Sequence, residues 1–533
     1  MSINSSWATR GMVVAPHALA AQSGLAVLRE GGNALEAMVA AAATISVVYP
    51  HMNGIGGDGF WLIHAPGTEV TTIDACGRAA ARANIDFYRE HELSSIPPRG
   101  PLAANTVAGT VSGWALALDC SQTRWGGRLP LARLLEDSIR YAEHGVIVTQ
   151  SQFANTTAKL AELEHVAGFG GRFLVNGGVP PAGSLFRQPA LAATMRQLAQ
   201  YGLTDFYEGE LALSIAGDLA ALGSPLTLAD LESHAAELRA PVTLAHSLGA
   251  LYNMAPPTQG AVSLMILGIL DQLQLGKVQP DSADYVHLIV EATKQAFQVR
   301  DKHITDPAFM TVDPRQLLDT AAISQLAGAV NRDRALPWGA QSQRGDTIWM
   351  GAIDSAGRAV SFIQSIYHEF GSGSVLKHSG INWQNRGCSF SLDARALNAL
   401  APRRKPFHTL NPALALLHDG RTVVYGTMGG DGQPQTQAAV FTRYAVFGQN
   451  MQAAITAPRW LLGRTWGQVS DTLKLEARFD PALVAELRRR GHDVEMLRAF
   501  DETVGHAGGI ARDAQGALEA GYDPRSDGGA AGF

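Results

Sequence analysis

The most informative segment of this sequence is Gly345-Asp346-Thr347-Ile348-Trp349-Met350-Gly351, in which a threonine opens an apolar, strand-like run. Residues 328–346 just before it are polar and rich in structure breakers, which predicts an exposed linker. A threonine hydroxyl is a poor nucleophile and needs a base. A cut directly before Thr347 would free an α-amino group in the same residue, with a reference pKa of about 7.7–8.0, to act as that base. Taken alone, the pattern fits an ordinary strand better, because threonine is common in strands.

The sequence pattern differs on the two sides of this segment. After it, Thr347–Ile353 and Ala359–Ile366 are predicted strands joined by a tight turn, and Val423–Tyr425 is another short strand. Helical patterns cover residues 34–46, most of 130–235, 283–300 and 480–500, and residues 60–63 have the pattern of a buried strand. This order predicts helices first, then a linker, then strands, all within one α/β layered core.

Composition excludes several classes of protein. The chain has 533 residues, of which 46% are hydrophobic and 17% charged, so it can bury a large core and disorder is excluded as its main state. A net charge of −6 argues against broad nucleic-acid binding. The longest nearly apolar run, Ala37–Tyr49, is too short to span a bilayer. Residues Met1–Arg10 lack an apolar signal core. We therefore expect a soluble, cytoplasmic enzyme without membrane or nucleic-acid partners.

Motifs for cofactors and for other hydrolases are missing or misplaced. Gly54-Ile55-Gly56-Gly57-Asp58-Gly59 matches GxGxxG, but a strand-like run follows it, whereas a dinucleotide site needs a helix there. We interpret it as a tight turn. The three cysteines form no CxxC pair, and the sequence contains neither HExxH nor a GxSxG elbow. We therefore expect no metal and no organic cofactor.

Short motifs spread over nearly the whole chain point to one family. They are, in order, GLAVLREGGNALEA (24–37), GIGGDGFWLIH (54–64), TVAGTVSGW (106–114), PPTQG (256–260), Glu291–Arg300, Pro458-Arg459-Trp460 and Asp523-Pro524-Arg525. Together with the Thr347 segment, this order of motifs resembles the γ-glutamyltranspeptidase family of N-terminal nucleophile hydrolases. The resemblance implies a four-layer αββα sandwich and self-cleavage between Asp346 and Thr347.

The resemblance also implies how the two pieces are organised and which residues act. Residues 1–346, including the linker, would form a large fragment and residues 347–533 a small one. The two would remain one composite domain, as an αβ heterodimer that could pair into (αβ)2. Ser365 stands where the family has a threonine whose hydroxyl supports the nucleophile. Gly429 and Gly430 match the glycine pair whose N–H groups bind the oxyanion, a task suited to donors fixed before the charge develops.

The sequence departs from the family where a γ-glutamyl group would be held. Cys76 replaces the carboxylate-binding arginine, and the nearest arginine is Arg78. The other substituted or shifted positions are Tyr367, Arg386, Ser389 and the pair His408-Thr409. Ser389 replaces the aspartate that binds the α-ammonium, and Arg386 adds a cation nearby. A free amino acid head would therefore meet a cation without its acidic partner.

These departures favour a small amide that carries a carboxylate but no α-amino group. Arg78 and Arg386 would hold the carboxylate, since arginine binds carboxylates in a bidentate manner. Tyr367 and His408 would narrow the pocket. Local sequences such as WQNRG and RKPFHTLNP resemble the branch of the family that hydrolyses oxamate to oxalate and ammonia in purine degradation. Three alternatives stay open: a glutathione hydrolase or γ-glutamyltransferase, an acylase for larger glutaryl-type amides, and an unprocessed, non-catalytic homologue.

Overall fold

Two seven-stranded sheets form the centre of the protein. The computed structural model describes residues 4–339, 346–463 and 470–533. The first sheet has the spatial order β1 (Ser6–Ala8), β18 (Leu518–Tyr522), β17 (Ala507–Arg512), β13 (Thr422–Thr427), β12 (Ala413–Leu417), β9 (Gly249–Asn253) and β8 (Val242–His246). The second has the order β19 (Gly529–Gly532), β2 (Met12–Ala15), β10 (Asp346–Ile353), β11 (Ala359–Tyr367), β3 (Asp58–His64), β4 (Thr71–Ala75) and β7 (Glu237–Arg239). Two smaller sheets join β14 (Trp460–Leu462), β15 (Leu473–Glu476) and β16 (Val494–Leu497), and β5 (Val146–Ile147) with β6 (Leu185–Phe186).

Helices cover the outer face of each large sheet. The helices before residue 240 lie on the side of the second sheet and are α1 (Ala18–Arg29), α2 (Ala34–Val48), α3 (Ile85–Glu90), α4 (Thr110–Trp125), α5 (Leu131–His144), α6 (Gln150–Leu163), α7 (Phe169–Phe173), α8 (Pro189–Tyr201), α9 (Asp205–Glu208), α10 (Glu210–Leu222) and α11 (Leu228–Glu232). Those on the first sheet are α12 (Gly260–Gln272), α13 (Ala283–His303), α14 (Thr320–Gly328), α15 (Gln433–Phe441), α16 (Met451–Thr456) and α17 (Pro481–Arg489). The result is the predicted four-layer αββα sandwich.

The alternation of side chains along β10 shows how the layers are filled. Ile348 and Met350 point to the helical layer that contains α2, whose fifteen residues are all buried. Trp349 points the other way, into the core between the two sheets. Gly426 on β13 leaves room for its ring, since a Cβ built there would lie 2.2 Å from the indole. Strand β10 is therefore held on both faces directly after Thr347.

The segments before and after Thr347 interleave in both sheets. Strand β10 pairs with β2 through Gly351 and Val14, and with β11 on its other edge. In the facing sheet β12 pairs with β9 through Ala413 and Asn253. A sheet whose central strands come from both segments leaves neither segment with a complete core of its own.

Two sequence predictions are wrong in part. Residues 480–500 are not one helix, because α17 ends at Arg489, Gly491 follows with φ 97°, and Val494–Leu497 forms β16. The order of helices followed by strands also fails, since β2, β3, β4, β8 and β9 all precede the linker. The glycine run does form a turn into strand β3, as predicted. Within the described ranges, the structure contains no helix long and apolar enough to cross a membrane.

Candidate active site

The ends of three neighbouring strands bring the predicted site residues together. Ser365 on β11 pairs with Asp58 on β3, and Tyr367 pairs with Asp346 on β10. The register shifts by one residue between Asp346 and Ile348, so Thr347 lies at a β-bulge. Bulges often occur beside active sites, where they redirect a side chain.

Thr347 is buried, and its hydroxyl accepts a hydrogen bond from a side chain on the side of the other large sheet. The Nε2 group of Gln433 donates to the Thr347 Oγ1 over 3.4 Å. The Oε1 of Gln433 in turn accepts from the backbone N–H of Asn411 over 3.3 Å. Gln433 begins α15, directly after the glycine turn. Sequence reasoning missed Gln433, although its place four residues after Gly429 was a usable signal.

Gly429 and Gly430 form the turn between β13 and α15, in the sheet that faces Thr347. Their φ angles are 117° and 52°, a region that side chains bearing a Cβ rarely adopt. The carbonyl of Gly430 accepts from the Nε2 of Gln259 over 2.8 Å, and the same group donates to the Thr409 carbonyl. Gln259 therefore ties the predicted oxyanion turn to the predicted substrate segment.

An ion pair between Arg300 and Asp431 stabilises this turn. Arg300 on α13 donates to the Asp431 carboxylate over 2.9 Å and to the Oε1 of Gln259 over 3.4 Å. Arg300 lies in the Glu291–Arg300 motif and Gln259 in the PPTQG motif. Two motifs that are distant in sequence thus meet at the residues that hold Gly430.

Ser365 and Tyr367 are placed beside the nucleophile by their backbones. The Oγ of Ser365 accepts from the backbone N–H of Tyr367 over 2.8 Å. Tyr367 has φ 81°. This backbone conformation is costly for a bulky residue, and residues strained in this way are concentrated at functional sites. Its ring lies under the guanidinium of Arg386, 3.8 Å from the guanidinium carbon to the ring centroid. Arg386 is therefore coupled to the strand that flanks Thr347.

Arg386 is 1% exposed and keeps one edge of its guanidinium unused. Its Nη1 donates to the hydroxyl of Thr409 over 3.3 Å. Its Nε and Nη2 are buried and have no hydrogen-bond partner within the described residues. Burial lowers the pKa of Arg386, which nevertheless remains a cation. The free Nε–Nη2 edge is the geometry that accepts a carboxylate with two hydrogen bonds.

Asp58 and His408 form a second buried pair in this region, of which the sequence predicted only the histidine. The Nε2 of His408 lies 3.0 Å from the Oδ2 of Asp58, and both side chains are fully buried. The other oxygen of Asp58 accepts from the N–H groups of Gly77 and Gly109 and from the Gln384 amide. Burial raises the pKa of Asp58 to about 6 and lowers that of His408 well below its usual value.

Two further predicted substrate residues are Ser389 and Thr409, and Cys76 marks the position where the family arginine is lost. Ser389 closes the 3-10 turn Arg386–Ser389, and its carbonyl accepts from the Asn398 amide over 2.8 Å. Cys76, at the position of the family arginine, is buried, and burial raises the pKa of its thiol well above the usual value. Thr409 is fully buried against Arg386.

Arg78 does not join Arg386. Its side chain is 44% exposed and contacts Glu237 at 3.7 Å, and its Nη1 donates to the Arg403 carbonyl. The structure therefore separates the two arginines that were predicted to share one carboxylate: Arg386 is buried and Arg78 lies at the surface.

Two groups of side chains have the spacing of metal ligands within the described part of the chain. One is Asp58 with Cys76 and His408, and the other is His287 with Glu291 and His492. The first lies close to the cations Arg386 and Lys405, both of which raise the cost of adding a divalent ion. In the second, the two imidazoles hydrogen-bond each other and Lys294 already pairs with Glu291. Neither donor set fits a metal well.

Comparisons with known proteins identify the family of this chain. The family model described as gamma-glutamyltranspeptidase matches residues 20–533. An oxamate amidohydrolase proenzyme of Klebsiella pneumoniae is 59% identical over 530 residues, 99% of this chain and 100% of that protein. A glutathione hydrolase-like proenzyme of Bacillus subtilis is 40% identical over 526 residues, 98% of this chain and 99% of that one.

Solved structures show the same relation. A crystal structure of cephalosporin acylase from Bacillus halodurans matches with a TM-score of 0.91 and 32% identity, covering 100% of this chain and 97% of that one. The order of motifs, the αββα fold and the position of Thr347 at the start of a central strand are all consistent with these relatives. The chain belongs to the gamma-glutamyltranspeptidase family and is an N-terminal nucleophile hydrolase that acts on carbon–nitrogen bonds.

Proposed function

We propose that this chain is a self-cleaving amidohydrolase for small amides that carry a carboxylate, with oxamate as the first candidate substrate and oxalate and ammonia as the products. The observation that carries this proposal is the buried Nε–Nη2 edge of Arg386, which has no partner within the described residues. An uncompensated guanidinium edge is expensive to bury, so it is best explained by an anion that binds there.

Maturation uses the hydroxyl of Thr347. Its Oγ attacks the carbonyl carbon of Asp346, the peptide nitrogen leaves as the α-amine of Thr347, and water hydrolyses the resulting ester. The products are residues 1–346 with a new carboxyl end and residues 347–533 with a free threonine amine. The pairing of β10 with β2 and of β12 with β9 supports an αβ heterodimer, because separation would break both sheets.

Turnover repeats the same chemistry on the substrate. The α-amine of Thr347 takes the proton of its hydroxyl, and the Oγ attacks the amide carbon. The N–H groups of Gly429 and Gly430 stabilise the oxyanion, and one such donor is worth about 2.7–4 kcal/mol of barrier. The amide nitrogen takes the proton back and leaves as ammonia. Water then hydrolyses the ester and restores the hydroxyl, while Ser365 and Gln433 orient it.

Recognition follows from the charges of the pocket. The free edge of Arg386 takes the substrate carboxylate, with Thr409 and Tyr367 holding the guanidinium in place. Ser389 supplies no negative charge for an α-ammonium group. The name of the Klebsiella relative supports oxamate, a two-carbon acid amide without an amino acid head.

The test compares ammonia release from oxamate and from glutamine by the processed protein at equal concentrations. We expect release from oxamate to dominate. Preference for glutamine would overturn the substrate assignment and favour γ-glutamyl chemistry.

A matched pair of variants locates the carboxylate. Arg386→Lys keeps the charge but removes the fork, so KM for oxamate should rise by about 10–100-fold. Arg78→Lys makes the same change at the surface and should leave KM within about twofold. A larger effect at Arg78 than at Arg386 would contradict the proposed subsite.

A further inference from the structure

Asp58 and His408 place a buried negative charge close to Arg386, and the proposed function does not explain how this charge is balanced when the substrate binds. Asp58 is fully buried, and three hydrogen bonds to one of its oxygens hold it in place. It interacts electrostatically with Arg386, yet the two make no ion pair within the described residues. A substrate carboxylate on Arg386 would therefore introduce a second negative charge into a region that already holds one.

The groups that face Asp58 from the surrounding segments offer little compensation. Besides Arg386 and His408, they are Cys76, Tyr207 and His234, with the ion pair of Asp74 and Lys405 beyond Cys76. Burial raises the pKa values of the cysteine and the tyrosine and lowers that of His234 to about 4, so these three stay neutral near pH 7. Asp74 and Lys405 largely cancel each other. Within the described residues, Arg386 is thus the main cation available to both carboxylates.

His408 supplies a place for a proton. Its Nε2 is engaged by Asp58, whereas its Nδ1 is buried without a hydrogen-bond partner in the described part of the chain. One added proton can sit on the carboxyl group of Asp58 or on His408, and in either form the net charge of the pair changes from −1 to 0. The two groups then titrate as one unit.

We propose that the Asp58–His408 pair takes up one proton from solvent when the substrate carboxylate binds to Arg386, and so acts as a positioning unit that sets the affinity for carboxylate substrates. This inference rests on the proposed function, because it requires a carboxylate at Arg386. The bound state then contains one cation, one substrate anion and a neutral pair. Two carboxylates competing for one buried guanidinium are avoided.

The proposal predicts how KM depends on pH. Below the pKa of the free pair, which the burial of Asp58 raises above that of an ordinary carboxyl group, the proton is already present and KM is constant. Above it, binding must recruit the proton, so KM rises with a slope approaching tenfold per pH unit until the pKa of the substrate-bound pair is passed. The pH dependence of kcat instead follows the ionisation of the α-amine of Thr347. KM and kcat should therefore depend on pH in different ways.

Proton uptake can be measured directly on processed wild-type protein. Pyruvate has the shape of oxamate with a methyl group in place of the amino group, and it cannot release ammonia. Calorimetric titration with pyruvate at pH 7 in two buffers of different ionisation enthalpy should show uptake of a large fraction of one proton. Competitive binding of pyruvate with no proton uptake would overturn this inference and leave the proposed function intact.

Variants provide a second readout. In Asp58→Asn the amide oxygen can keep the three hydrogen bonds, and the pair is neutral without an added proton because burial lowers the pKa of His408 well below its usual value, so KM for oxamate should be flat from pH 5.5 to 8.5. The matched control is Asp74→Asn, which removes a buried carboxylate whose pKa is lowered by Lys405 and Arg239 against the effect of burial, and its KM should still rise with pH. A KM that rises equally in Asp58→Asn would overturn the inference, whereas a KM insensitive to Arg386→Lys would point to failure of the proposed function itself.

Discussion

Arg386 and Arg525 are both buried arginines in the segment after Thr347, and they use the same edge of the guanidinium in different ways. Arg525 places its Nε and Nη2 against the two oxygens of Glu476, at 2.7 and 2.6 Å. Its Nη1 donates to Asp523 over 3.0 Å. The corresponding edge of Arg386 has no hydrogen-bond partner within the described residues. One edge is filled by the protein, and the other is where we propose that the substrate carboxylate binds.

The surroundings of Arg525 explain two of the sequence motifs. Arg459, from Pro458-Arg459-Trp460, also pairs with Asp523, which lies in the other motif with Arg525. Burial alone would raise the pKa of Asp523, but Arg459 and Arg525 hold it at about 2. This cluster has matched charges and satisfied donors, so its role is structural. A buried arginine is therefore informative about function only when its acid partners have been counted.

The largest expected effect comes from removing the nucleophile while leaving both arginines in place. Thr347→Ala should abolish self-cleavage and ammonia release, because no other group in the proposed mechanism can carry the acyl intermediate. A denaturing gel should show one band near 56.5 kDa, where the wild type gives roughly 37 and 20 kDa. Thr347→Ser is the matched control and should still cleave. Two bands from the alanine variant would refute Thr347 as the nucleophile.

The next largest effect is expected at the structural cluster. Arg525→Met leaves Glu476 and Asp523 buried with too few cations, so the free energy of unfolding should fall by about 3–5 kcal/mol. Urea denaturation of the uncleaved Thr347→Ala background measures this in a single continuous chain. A midpoint equal to that of the background would show that the cluster does not stabilise the fold.

The same substitution at Arg386 should reduce activity strongly and change stability little. Arg386→Met should lower kcat/KM for oxamate by about 10²–10³-fold, which corresponds to about 2.7–4 kcal/mol. The free energy of unfolding should stay within about 1 kcal/mol of wild type, because the removal of a buried cation with one unused edge offsets the loss of its attraction to Asp58. Urea midpoints and ammonia release on the same preparations test both parts. A loss of stability as large as that of Arg525→Met would contradict the distinction between Arg525 as a structural arginine and Arg386 as a ligand-binding one.

Glu502 extends the comparison to a half-buried acid that forms no ion pair with a cation within the described residues. It accepts from the Ser151 hydroxyl over 3.2 Å, and burial raises its pKa to about 7. A raised carboxyl pKa contributes stability that is present below about pH 4.5 and is lost as the pH rises through 7. Glu502→Gln should therefore be more stable than wild type by about 1–2 kcal/mol at pH 8 and equal to it at pH 4. Thermal unfolding at the two pH values checks this, and equal differences at both would contradict it.

The smallest effect is expected at the exposed arginine. Arg78→Ala removes an ion pair with Glu237 in which both side chains are nearly half exposed. Such pairs contribute about 0–1 kcal/mol, so stability should change by less than about 0.5 kcal/mol and kcat/KM by less than about threefold. Steady-state kinetics with oxamate decide this. A tenfold loss would restore Arg78 to the carboxylate site.

Local sequence patterns predicted much of this molecule. The helix after Asn33 is a clear case, since the capping box between Asn33 and Glu36 closes within three residues. The strand beginning at Thr347 and the hairpin with residues 359–366 also depend on short-range patterns. The region 480–500 shows the limit, because the glycine that ends α17 is readable but the parallel partner of β16 is not.

The sequence by itself determined the family and, through that resemblance, the four-layer fold and the threonine expected to act as nucleophile, because the order of motifs is encoded along the chain. Only the tertiary structure decided which arginine is buried with a free edge, and that Asp58 meets His408 across 350 residues of sequence. The physical reason is that burial, side-chain direction and the pairing of charges are set by long-range packing. Neighbouring positions such as Cys76 and Arg78 can then lie in opposite environments, one in the core and the other in water.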